Sequence, residues 1–292
     1  MLAGVVVSLA ATLAAFVLIH RFAQAKLGAA GARRTVVYLA IFPMSLFLQA
    51  VYAESLLLCL SVALFLAAER GRWPAAGALL GLAFLTRPTA VALVPAVAFM
   101  AWRSRRRLYA FLSLLLAPLL FLAYPLVLRS QFGNAWGFIH SERFWHREVS
   151  PFGPFDGIWR ALRAAWAGVL QLTVGSAQHW YWTPVNPARA AVLNLEYLAY
   201  LVAFCCLAYV AWRSLGAAYG LFAVASILIP LSAPSDTYPL LSLPRLGLTI
   251  FPLFLALAVV GRGERANVAI VACSAVLLGV SVAQWATWQW VS

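Results

Sequence analysis

Apolar residues dominate this chain in blocks, and the polar residues fall in short knots between the blocks. Runs that suit membrane helices cover about residues 2–19, 35–50, 54–68, 74–87, 89–102, 108–128, 191–212, 216–232, 243–260 and 267–287. The pattern predicts an all-α, polytopic membrane protein with about ten transmembrane helices. Two runs, 54–68 and 74–87, are short. Short membrane helices persist where protein buries them or where they line a wet cavity. Pro43, Pro88, Pro95, Pro244 and Pro252 lie within or at the ends of runs. Each removes a backbone donor and kinks or ends a helix. No internal repeat or low-complexity tract appears, so residues 1–292 are read as one membrane domain.

The polar knots are mostly basic: His20 and Arg21, Lys26, Arg33 and Arg34, Arg70 and Arg72, Arg103 with Arg105–Arg107, Arg213, then Arg262 and Arg265. Basic residues collect on the cytoplasmic side of membrane helices. Placing Arg103–Arg107 in the cytoplasm and counting helices both ways puts the other knots there too. This holds if residues 129–190 stay wholly outside. That segment is read as a large extracytoplasmic loop with amphipathic interfacial helices. It carries Trp136, Trp145, Trp159, Trp166, Trp180 and Trp182. Indoles favour the membrane interface, and they also form stacking faces for sugar rings.

Composition narrows the class. Of all residues 64% are hydrophobic and 10% charged, with a formal net charge of +13. Ordinary soluble domains are about 25% charged. No basic stripe lies on a polar helix, so nucleic acid is not the partner; anionic membrane lipid accounts for the basic excess. The N-terminal run lacks the basic start and small-residue cleavage site of a signal peptide and reads as a retained helix. Cys59, Cys205, Cys206 and Cys273 all sit in apolar runs without metal-ligand spacing.

The topology gathers the unusual polar residues on the outer side. Glu54 opens an apolar helix, where a carboxylate is either functional or a partner for the helix dipole. Tyr52 and Ser55 add hydroxyls beside it. Arg87, between Thr86 and Pro88, faces outward against the positive-inside trend; a phosphate or Glu54 would be its partner. Arg245 is a second outward arginine, and Asp236 on the same loop is its expected ion-pair partner. Glu54 and Asp236 are the candidate catalytic acids. Tyr52, Ser55, Arg87 and Arg245 are the candidate substrate-binding residues. Glu54, Arg87, Asp236 and Arg245 are expected to converge on one cavity roofed by the loop tryptophans. His140 and His146 are poorly spaced for a metal, and HSERFWHRE reads as a solvated interfacial helix. No nucleotide-binding or hydrolase motif is present. A transferred group would therefore come from a lipid-linked donor. No cofactor is called for, and a divalent metal is left open.

Several segments carry a family resemblance: Phe42-Pro43-Met44-Ser45-Leu46-Phe47, Tyr52-Ala53-Glu54-Ser55, Arg70-Gly71-Arg72-Trp73 and Leu85-Thr86-Arg87-Pro88-Thr89. In this order they resemble the second mannosyltransferase of GPI anchor synthesis (the class V phosphatidylinositol-glycan family) and its bacterial relatives. Leu243-Pro244-Arg245 followed by Phe251-Pro252 is similar to a late segment of that family, with Leu246 where an aromatic is common. The resemblance covers about residues 35–100 and 240–260.

It implies a GT-C type membrane glycosyltransferase, and the Ala- and Arg-rich composition points to a bacterial plasma membrane. Such an enzyme moves a mannose-type sugar from a polyprenyl-phosphate donor to a lipid or glycan acceptor at the extracytoplasmic face, with inversion. The family's usual base lies in a loop after its first helix, and this chain opens at what resembles the second helix. A further helix and acidic loop ahead of Met1 are therefore expected. Two other readings stay open: a non-catalytic relative that binds lipid-linked sugar or scaffolds a partner, and a transporter. The topology itself is testable. Single cysteines at Ser150 and Ser104, in a cysteine-free background, should label from opposite sides with an impermeant reagent; labelling from one side would contradict it.

Overall fold

The computed structural model describes residues 2–138, 144, 146–175, 187–236 and 238–291. Among these the chain is all-helical; the only strand-like pairing is an isolated bridge between Arg147 and Ser235. The helices are α1 (Leu2–Ala40), α2 (Glu54–Glu69), α3 (Trp73–Thr86), α4 (Leu93–Arg103), α5 (Arg107–Leu114), α6 (Leu116–Phe121) and α7 (Ala123–Phe132). They continue with α8 (Pro154–Val174), α9 (Pro187–Leu215), α10 (Ala217–Ser232), α11 (Leu243–Gly247), α12 (Phe251–Val260) and α13 (Glu264–Ala286). Short 3-10 turns cover Ser45–Leu48 and Pro88–Ala92.

Four stretches are long and apolar enough to cross a membrane: Leu2–Ala40, Arg107–Phe132, Pro187–Leu215 and Glu264–Ala286. This is compatible with a membrane protein. The expected count of about ten spans is not reached by length. Trp73–Thr86 has 14 residues. At ~1.5 Å per residue it reaches about 21 Å, short of a hydrocarbon core about 30 Å thick. Of the short helices α2 and α12 are mostly buried in the protein, whereas α3, α4 and α10 also present exposed apolar side chains such as Leu82, Val94 and Leu228.

Proline and glycine set the boundaries. Residues 20–34, expected as a loop, are helical, because alanine and long basic side chains favour helix. The break falls at Gly28, whose φ of 75° suits glycine. The run expected to extend to residue 50 stops at Ala40 and bends near Pro43. The run 108–128 divides into α5, α6 and α7. Pro118 and Pro125 lack the N–H groups that would reach the carbonyls of Leu114 and Phe121, and α5 and α6 end at those two residues.

Contacts give the direction of the first hairpins. Gly4 packs on Val51, Thr12 Oγ1 donates to the Leu48 carbonyl at 2.6 Å, and Lys26 Nζ meets Glu69 Oε1 at 2.6 Å. The first half of α1 therefore runs parallel to α2, with the chain returning after Gly28. Successive helices then bring the basic knots to one end of the bundle. Glu69, Lys26 and the Tyr219 hydroxyl join three hairpins there. Phe22, Phe65, Phe222 and Phe251 pack in the middle, with Phe65 and Phe251 centroids 5.0 Å apart.

At the opposite end, 29-residue α9 outruns 16-residue α10 by about 20 Å. Helix α8 lies against both. Its buried stripe is Gly157, Ala161, Ala164, Ala165 and Gly168, small residues that admit the backbones at Leu231 and Ala191.

Candidate functional site

Three separated stretches meet at the end away from the basic knots. Glu54 stands in the first turn of α2, which has no side-chain cap. Arg87 follows α3 in extended conformation (φ −159°), which the following proline favours, so its side chain leaves the helix axis. Arg245 sits in the single turn of α11, whose first turn contains Pro244.

Glu54 is fully buried and pairs with both arginines. Arg87 Nη1 donates to Glu54 Oε1, and Arg245 Nε lies 3.2 Å from the same oxygen. The two arginine side chains are 21% and 17% exposed. Two guanidiniums against one carboxylate leave one surplus positive charge in a largely desolvated place. Glu54 Oε2 and Ser55 Oγ are buried with no hydrogen-bond partner. Arg245 is further held by aromatic faces: its Cζ lies 5.3 Å from the Phe47 ring centroid and 5.2 Å from that of Tyr52. Those rings meet edge to face at 5.3 Å. Such cation–π contacts strengthen as water is excluded.

A small cavity lies beside this triad, lined by Leu57, Ser61, Thr89, Ser226, Leu246 and Thr249 among others. Its volume of about 20 Å³ suits about one water. Ser61, Ser226 and Thr249 donate to the carbonyls of Leu57, Phe222 and Leu246. They therefore offer lone pairs to the cavity. The Thr89 hydroxyl is buried without a partner.

Of the expected site residues, Glu54, Arg87, Arg245, Tyr52 and Ser55 come together. Asp236 does not join them, and its expected ion pair with Arg245 does not form. Its side chain is 66% exposed and bonds Arg160 Nη1 at 2.7 Å; Arg160 Nε reaches Asp156 at 3.0 Å. Backbone contacts pin the same loop, with Asp236 N donating to the His146 carbonyl at 3.0 Å and Ser150 N to that of Ser232 at 2.9 Å. The Arg160 guanidinium holds the Asp156 carboxyl below its usual range. That ionic contribution is full above the ordinary carboxylate value and fades as pH falls through the lowered one.

The expected tryptophan roof does not form from α8. Trp159 and Trp166 lie on its exposed face, opposite the stripe that packs on the bundle. His140, Glu142, Trp145, Trp180 and Trp182 lie outside the described residues. Among the described residues no three His, Cys, Asp or Glu side chains gather in a metal-holding group. Sequence reasoning missed Arg160, Phe47 and Thr89. Arg160 had a signal in its i,i+4 spacing from Asp156, and Phe47 and Thr89 lie in the segments that carry the family resemblance.

Set against protein-family models, characterised proteins and solved structures, the chain matches none.

The triad predicts a strong coupling. Glu54→Gln leaves two guanidiniums together without their carboxylate and should cost about 3–5 kcal/mol, as breaking a buried pair does. Arg87→Gln should cost much less in the Glu54→Gln background than alone. Unfolding of the four proteins in detergent measures both; additive costs would mean the charges are uncoupled.

Proposed function

We propose that this chain is a GT-C type membrane glycosyltransferase. It moves a mannose-type sugar from a polyprenyl-phosphate donor to a lipid or glycan acceptor at the extracytoplasmic face of a bacterial plasma membrane. The observation that carries this reading is the surplus positive charge of the Glu54, Arg87 and Arg245 triad. A phosphodiester carries one negative charge, which neutralises that surplus. Two planar guanidiniums suit bidentate contact with its oxygens. The resemblance of the Tyr52–Ser55 and Thr86–Thr89 segments to the mannosyltransferase family supports the choice of a lipid-linked sugar.

In this reading the acceptor hydroxyl attacks the anomeric carbon from the face opposite the phosphate. The bond from that carbon to the phosphate oxygen breaks, and a polyprenyl phosphate leaves with one more negative charge. Arg87 and Arg245 stabilise that charge as it develops. Glu54 holds both guanidiniums through Oε1 and offers Oε2 to a sugar or acceptor hydroxyl. The proton of the acceptor passes to a carboxylate, for which Glu54 is the candidate within the triad.

One observation favours a second reading. Glu54 is engaged by two arginines and Asp236 by Arg160, so neither acid stands free as a base. A chain that binds lipid-linked sugar without transferring it would need only the arginines. Both readings are tested with purified protein and a polyprenyl-phosphate mannose donor. Arg87→Ala should lower transfer roughly 10²-fold or more. Arg87→Lys should restore only part, because lysine lacks the planar fork. Donor binding by the native chain without transfer would select the second reading, and full activity in Arg87→Ala would refute the first.

A further inference from the structure

A second charged site lies at the other end of the bundle and does not rest on the transferase reading. A groove of about 370 Å³ opens between the second half of α1 and the start of α13. Its floor is a hydrogen bond from the Tyr38 hydroxyl to Asn267 Oδ1 at 2.6 Å. Gly261 permits that floor, because a Cβ there would overlap the Tyr38 hydroxyl. Arg33, Arg34, Arg262 and Glu264 stand around it. Three guanidiniums against one carboxylate leave two positive charges. Arg34 Nε donates to the Ala258 carbonyl at 3.2 Å, which anchors that side chain. Arg33 and Arg262 form no ion pair or side-chain hydrogen bond among the described residues, and both are exposed.

The rest of the lining is apolar. Val37 and Val271 form walls, and Val37 is exposed to the surroundings of the bundle. The groove thus joins an uncompensated cationic rim to an apolar flank formed by the segment of α1 after Gly28 and by α13, which is long enough to cross a membrane. A soluble phosphate would use the rim and gain nothing from the flank. A phospholipid uses both. We propose that this groove binds an anionic phospholipid, with the headgroup phosphate on Arg33 and Arg262 and an acyl chain along Val37 and Val271. Ser281 is the one buried residue of α13. A lipid bridging α1 to the turn before α13 would therefore hold that helix to the bundle.

The test uses the full chain in a non-ionic detergent with phosphatidylglycerol added in mixed micelles. Native mass spectrometry counts retained lipid, and thermal unfolding reads its effect. Phosphatidylglycerol should be retained and should raise the melting temperature, since a ligand of the folded state stabilises it. Arg33→Gln with Arg262→Gln should lower retention at least tenfold and abolish the shift. These side chains are exposed, so circular dichroism should stay native. Arg105→Gln with Arg106→Gln, on another basic knot, should change neither reading. Unchanged retention in the first double variant would overturn the proposal, as would equal retention of phosphatidylcholine. An equal thermal shift from glycerol 3-phosphate would make this a soluble-anion site and overturn the lipid assignment.

Discussion

A fully buried carboxylate between two arginines organises one end of this molecule. Glu54 gains little from the dipole of α2 compared with the cost of removing its charge from water, so it needs close partners. Those partners come from far along the chain. Arg87 reaches it because Pro88 ends α3 and turns the backbone extended. Arg245 reaches it because a single turn at Leu243–Gly247 interrupts the approach to α12. Phe47 and Tyr52 then close on the Arg245 guanidinium. The irregular backbone at Ile41–Ala53, Arg87–Ala92 and Ser242–Ile250 is thus the frame of one charge cluster.

The two ends of the bundle handle their arginines differently. At the triad end, Arg87 and Arg245 are drawn inward onto an acid and leave a single surplus charge facing unpartnered buried oxygens. At the basic end most arginines stay exposed, on helices and on the turns between them, where long side chains reach water at little cost. There the polar links between helices are Lys26 with Glu69, at the surface, and Tyr38 with Asn267, partly buried. Both ends therefore carry surplus positive charge, in a largely desolvated fork at one and on an open rim at the other.

Much of this architecture was legible in the pattern of apolar runs. Each of the ten runs carries helix, and the alternation of arginine knots matches the end at which they gather. Glu54 and Arg87 stood out because charge inside an apolar run is costly, and the structure pairs them. The shortness of α3 was legible, since the run 74–87 is 14 residues long, as the helix is. What covers a helix was not, because hydrophobicity marks a segment as buried without saying whether lipid or protein lies against it, so short runs were counted as spans. Asp236 was misplaced because closeness in sequence to Arg245 was weighed above the i,i+4 partnership that had already set Arg160 beside Asp156. The hydroxyl-lined cavity carried no signal, since lone Ser and Thr in apolar helices, such as Ser61 and Ser226, usually bond their own backbone.

The central claim is that the triad is an oxyanion site for a lipid-linked phosphate. Its most direct test is an experimental structure of the full chain in lipid nanodiscs with polyprenyl monophosphate added. The account predicts phosphate oxygens about 2.7–3.2 Å from guanidinium nitrogens of both Arg87 and Arg245. Glu54 should still bridge the two arginines. Phosphate bound elsewhere, or a Glu54 carboxylate parted from both guanidiniums, would contradict it.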